Sequence, residues 1–254
     1  MSTPAPSDAA DSIAADIDAL PSKATASVRR VRREHSRALK TADAAVIIDV
    51  ARTLLARDDR ADAIASGGAN GAAGSAPPVA RTDLSGRRRW IAYELIRNHK
   101  AAFESVDDAL LNEIGAGIDT WDSVDAFART LSGPAWLRGL ASDALIREWS
   151  LSNDLWWRRA ALVSTVALNM RSHGGTGDTG RTLAICETLA ADHEDMVVKA
   201  LSWALRELVW YDSAAVQAFL DTHADRLAAR VKREVRNKLR TGLKNPRRWP
   251  PTDC

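Results

Sequence analysis

From Arg81 almost to its end the chain keeps one pattern: apolar residues at three- and four-residue spacing, with short glycine- or proline-bearing breaks and no strand-like alternation. The breaks fall at Gly115-Ala116-Gly117, Gly133-Pro134, His173-Gly174-Gly175-Thr176-Gly177 and Tyr211-Asp212. The periodicity predicts helices near 81–99, 104–115, 119–132, 134–149, 153–171, 179–191, 195–210, 213–222 and 224–243. Upstream, residues 8–20 read as a short acidic helix ended by Pro21, and 24–40 and 42–65 as a helical pair rich in Ala, Leu, Arg and Val. Helices of this length joined by short turns, in pairs of roughly 35–45 residues, stack into an all-α solenoid of HEAT-like repeats with a long concave surface.

Domain organisation follows from the same punctuation. Residues 1–22 are expected to be an acidic, flexible segment, 23–244 a single helical-repeat domain, and 245–254 a tail. Ser66 to Ser75, SGGANGAAGS, followed by Pro77-Pro78, cannot pack and reads as a flexible loop over 66–78. At 254 residues, with 46% hydrophobic and 27% charged residues, the chain can bury a core of ordinary globular kind. No stretch approaches the ~18 uncharged apolar residues of a membrane span, and the acidic, Ala-rich start lacks the basic and apolar regions of a signal peptide. Cys186 and Cys254 offer neither zinc-ligand spacing nor a disulfide framework, so a reducing cytoplasm is expected.

The net charge of +2 conceals segregation. Residues 28–40 carry six Arg or Lys against one Glu, and residues 226–248 carry ten against one. Such separation suits a positive surface facing a polyanion, although two solvated basic helices would give the same sequence.

Chemistry-bearing residues concentrate on a few helices. In Asp119-Thr120-Trp121-Asp122-Ser123-Val124-Asp125, Trp121 and Asp125 share a helical face, while Val124, Phe127 and Leu131 form an apolar stripe roughly 100° away. An indole beside a carboxylate suits a flat or cationic ligand. On 153–171, capped by Asn153 or Ser152, Leu155, Leu162 and Val166 make the apolar face. Arg159 lies within that face and must meet a carboxylate or phosphate, with Asp122 and Asp125 as candidates, whereas Arg158 points to solvent. On 196–210, Val198, Leu201, Leu205 and Leu208 face the core, and Lys199, Trp203, Arg206 and Trp210 form a second stripe that would suit an anionic ligand with flat rings. On the last helix, Leu227, Val231, Val235, Leu239 and Leu243 should dock inward, and Arg226, Arg230, Arg233, Arg240 and Lys244 form a row able to follow a phosphate backbone.

The segments IDTWDSVDAFA (118–128), NDLWWRRAALVSTVALN (153–169) and MVVKALSWALREL (196–208) resemble, in order and at compatible spacing, motifs of the DNA alkylation repair family of AlkD-type HEAT-like-repeat DNA glycosylases. The resemblance covers about 81–244. It implies a solenoid that cups duplex DNA and excises N3- or N7-alkylated purines without rotating the nucleotide into a pocket. By match to the motifs, Trp121, Asp125 and Trp203 line the lesion's deoxyribose, with Arg159 beside Asp125.

That implied reaction fits the residue types. A cationic alkylpurine is already a good leaving group, so the need is to stabilise an oxocarbenium-like sugar. Asp125 supplies negative charge and positions water, and the indoles favour a cation and exclude solvent. The reading requires no metal and no organic cofactor, and it expects a nucleoid-associated monomer acting on alkylated duplex DNA. Lys199, Arg206, Arg230, Arg233, Arg240 and Lys244 are the expected DNA contacts. Two other classes remain open: a non-catalytic binder of damaged or branched DNA, and a protein-interaction solenoid.

Overall fold

The computed structural model describes residues 5–21, 24–67 and 85–246. The expected loop over 66–78, apart from the end of a helix at Gly67, and most of the 245–254 tail lie outside the described residues. All regular structure among the described residues is helical. The chain divides into two compact units, Met1–Ala135 and Trp136–Cys254, where the sequence suggested one domain from residue 23.

In the first unit, α1 (Pro6–Asp18) packs on α3 (Ala44–Gly67), which packs on α4 (Ser85–Asn98), and α2 (Thr25–Ala38) also lies against α4. The acidic segment expected to be loose is therefore part of the fold, because Ala10, Ile13 and Ile17 are fully buried on one face of α1. Its acidic face meets basic residues from elsewhere in the unit. Asp16 accepts from His35 at 2.7 Å, Asp18 from Arg88 at 2.9 Å, and Asp11 pairs with Arg57. The first basic run is likewise partly used internally, with Arg32 on Glu94 at 2.7 Å and Arg29 over the Trp90 ring.

The region 100–137 is more broken than its periodicity suggests. A short α5 (Lys100–Glu104) forms where no helix was expected, and the expected 104–115 helix is α6 (Asp108–Gly115), capped by Asp107 accepting from the Leu110 N–H at 2.8 Å. The expected 119–132 helix starts as α7 (Trp121–Phe127) and then widens to a π-turn over Ala128–Ser132. The chain resumes as α8 (Gly133–Leu137), and Gly139, at a positive φ of 71°, separates it from α9 (Asp143–Ser150). Phe127, fully buried, anchors α7 on α4 through Tyr93, with ring centroids 5.4 Å apart at 59°.

In the second unit three helical pairs stack in register. They are α9 with α10 (Leu155–Leu168), α11 (Thr179–Thr188) with α12 (Asp195–Leu208), and α13 (Ser213–Thr222) with α14 (Ala229–Thr241). Within that stack α10 packs on α12 and α12 on α14, and α9 packs on α11, which is the two-layer arrangement of a helical-repeat solenoid. Side-chain caps set most starts: Ser142, Asp154, Asp178 and Asp212 accept from the first-turn N–H groups of α9, α10, α11 and α13. The α10 cap is thus Asp154, not Asn153 or Ser152; the Ser152 hydroxyl instead accepts from the Asp154 N–H.

The turn after α10 is fixed by glycines where nothing larger fits. A Cβ on Gly175 would lie 2.5 Å from the Ala167 carbonyl oxygen, and one on Gly177, at φ 93°, would strike the Tyr211 ring at 2.6 Å. The Tyr211 hydroxyl donates to the Gly175 carbonyl at 3.1 Å, latching this turn to the end of α12. Truncating Phe127 to Ala should cost about 3–5 kcal/mol, as for other fully buried aromatics, and chemical denaturation of the variant would read the loss.

Candidate functional site

Local sequence fixes how α7 begins. The Thr120 hydroxyl accepts from the Ser123 N–H at 3.2 Å, and the Ser123 hydroxyl oxygen accepts from the Thr120 N–H at 3.1 Å, a reciprocal capping box. Trp121 then stands at the first helical position, 54% exposed, and Asp125 follows one turn on, half-buried. Val124, Phe127 and Leu131 are fully buried, so the separate apolar stripe read from the sequence is real and leaves the indole off the core. Gly86, in the first turn of α4, lies so close to Asp122 that a Cβ there would be 2.9 Å from Oδ2.

The second unit holds Arg159, Trp203 and the expected DNA contacts. Arg159 is 5% exposed, and its Nη1 donates to the Met196 carbonyl at 2.6 Å, which ties α10 to the first turn of α12. Helix α10 is buried nearly all round from Arg159 to Leu168 rather than along one face, while Leu155 is only half-buried. Arg158, expected to be solvated, is not: it bonds Asp192 at 2.7 Å and the carbonyls of Ser152 and Asn153 at 2.9 Å, clamping the turn before its own helix.

On α12, Val198, Leu201, Leu205 and Leu208 are buried as predicted. The opposite stripe is not a uniform display. Lys199 bonds Asp195 at 2.6 Å, Trp203 is half-buried with its indole N–H donating to Glu207 at 3.0 Å, and Arg206 is largely buried. Trp210 is 69% exposed, with the Lys238 ammonium 4.2 Å from its ring centroid, and borders a cavity of about 410 Å³ beside Arg171 and Glu207.

The basic residues of the last helix fall in two neighbouring groups that share Arg233. Arg226 precedes α14, Leu243 is 57% exposed rather than docked, and Arg240 lines an open cavity of about 810 Å³ with Lys232, Arg233 and Arg236. Arg230, Arg233 and Lys244 instead approach one buried carboxylate, Glu234, at 3.4, 3.9 and 3.5 Å. Arg206 reaches the same group from α12 at 4.0 Å, and the Ser202 hydroxyl donates to it at 2.7 Å. Gly242, at φ 73°, reverses the chain so that Lys244 returns to Glu234, and Asn237 holds the Lys244 carbonyl at 3.1 Å.

Charge coupling runs through this layer. A hydrogen bond from Lys199, then the charges of Arg230 and Arg159, hold the Asp195 carboxyl below its ordinary range. Burial pulls the Arg206 guanidinium down, and the Glu234 and Glu207 charges oppose that pull. Among the described residues no group of three or more His, Cys, Asp or Glu could hold a metal ion, and no helix is long and apolar enough to cross a membrane.

A family model described as DNA alkylation repair enzyme matches residues 87–239, from the first turns of α4 to the last turn of α14. The chain belongs to the DNA alkylation repair enzyme family. Comparisons with curated proteins and with solved structures found no match. The family match spans Trp121, Asp125, Arg159 and Trp203, and also the Asp195 and Glu234 carboxylates that organise the basic layer. Helices α1 to α3 lie outside it.

Glu234, Ser202, Asp195 and Glu207 were missed from the sequence. The signal for Glu234 was present: it is the one acidic residue in the basic run 226–248, four residues after Arg230. Because its folded pKa is lowered, Asp195 contributes stability above its ordinary titration near 3.8 and loses it as pH falls through the lowered value. Asp195→Asn should therefore melt below wild type near neutral pH, the gap closing in acid; melting curves across pH would show it.

Proposed function

We propose that this DNA alkylation repair family member is a DNA glycosylase that hydrolyses the N-glycosidic bond of N3- or N7-alkylated purines in duplex DNA. The observation that carries the reading is the family match, which runs through all three motif segments bearing Trp121, Asp125, Arg159 and Trp203. An indole more than half exposed, one turn from a half-buried carboxylate, supports a ligand-facing role for α7.

In this reaction the C1′–N bond breaks and its electron pair leaves with the base, which departs neutral because alkylation had made it cationic. The deoxyribose becomes oxocarbenium-like. The Asp125 carboxylate stabilises that charge and orients the water that adds at C1′, whose surplus proton passes to solvent. The Trp121 ring face favours the cation; by match to the motifs Trp203 has the same role, and the buried Arg159 serves it by holding the first turn of α12 through the Met196 carbonyl. Undamaged purines, which would leave as anions, should be poor substrates. Duplex DNA would lie along the α10, α12 and α14 layer, where Lys199, Arg206, Arg230, Arg233 and Lys244 gather, with Arg240 beside Arg233 at the open cavity of α14.

Release of 7-methylguanine or 3-methyladenine from methylated duplex DNA tests the activity. Asp125→Asn should lower single-turnover release by about 10²- to 10³-fold, the range for losing one preorganised electrostatic contact, while DNA binding persists. Binding without release by wild type would instead identify a non-catalytic DNA binder. Wild-type binding should also fall steeply with salt, each cation removed lowering the log–log slope by about 0.9; affinity indifferent to salt would point to a protein partner.

A further inference from the structure

Beyond the proposed reaction lies the question of how five cationic heads come to share one small region. Lys199 and Arg230 share Asp195, at 2.6 and 2.7 Å, and Arg230 also reaches Glu234 at 3.4 Å. Arg206, Arg233 and Lys244 complete the ring around Glu234. Counted over these ion pairs, five cations face two carboxylates, so the cluster keeps a net positive charge. The Glu234 side chain is 4% exposed, whereas those of Arg233, Lys244 and Lys199 are 63%, 44% and 39% exposed. Glu234 is thus inside and most of the cationic surface outside, while Asp195 is itself exposed.

We propose that Glu234 is a positioning residue for a phosphate-binding surface: it fixes the heads of Arg206, Arg230, Arg233 and Lys244 so that their remaining N–H donors meet the phosphates of a DNA strand. The inference rests on the DNA-binding part of the function proposed above. A guanidinium has five N–H donors and an ammonium three, and the ion pairs with Glu234, at 3.4 to 4.0 Å, leave most of that set available. Without the central carboxylate, four like charges would separate and each side chain would have to be ordered anew on binding, which costs affinity. Ser202 assists from α12: its hydroxyl donates to Glu234 at 2.7 Å and its oxygen accepts from Arg206 Nε at 3.2 Å.

The sign of one substitution separates this role from simple charge counting. Glu234→Gln is nearly isosteric and adds one positive charge, so net charge alone predicts tighter binding to DNA. Positioning predicts weaker binding of a fluorescein-labelled undamaged duplex, by about three- to tenfold, with the log–log salt slope reduced by about one to two. Binding as tight as wild type or tighter, with an unchanged slope, would overturn the proposal. If Glu234→Gln does not fold, Ser202→Ala carries the test without changing charge: severalfold weaker binding is expected, and unaltered binding overturns it. Failure of wild type to bind any duplex would overturn this inference together with the DNA reading. Normal wild-type binding and base release with an indifferent Glu234→Gln removes this inference alone.

Discussion

Like charges on neighbouring helices repel, and near a protein surface the Coulomb energy at contact distance is about 4 kcal/mol for each pair. The layer formed by α12 and α14 collects cations from both helices, so its packing depends on the buried carboxylate of Glu234 between them. At the start of α12 the exposed Asp195 joins Lys199 and Arg230. Only at Glu234 is the counter-charge placed inside, where it meets several cations without balancing all of them.

The rest of the architecture keeps that layer in place by ordinary means. Apolar faces on α10, α12 and α14 stack, polar caps start α9, α10, α11 and α13, and two glycines admit the close turn that Tyr211 latches. In the first unit the same division holds on a smaller scale. A capping box starts α7, Phe127 seats it on Tyr93, and Trp121 is left in solvent one turn before Asp125.

Helix existence and type were legible because periodicity reports burial, and the stripe of Val198, Leu201, Leu205 and Leu208 is the clearest case. The breaks at 105–107, 128–132 and 138–142 were not, since interruptions of about one turn barely alter the spacing of apolar residues. Charge was harder still. The sequence shows where Arg and Lys are dense but not which acids they meet, and so Arg158 looked solvated while it clamps a turn through Asp192. The acidic start and the basic residues of α2 to α4 likewise read as segregated until folding paired Asp16, Asp18 and Asp11 with His35, Arg88 and Arg57. The family resemblance was legible because Trp121, Asp125, Arg159 and Trp203 sit in motifs whose order and spacing survive without any knowledge of contacts.

The widened turn over Ala128–Ser132 decides which way α7 faces. A π-turn holds one residue more than the α-helical turn it replaces, so the residues on either side keep their facing despite the extra one. Winding the same residues as a regular α-helix would swing those before the turn by roughly 100° about the helix axis relative to those after it. Phe127 would then leave Tyr93, or Trp121 and Asp125 would point elsewhere.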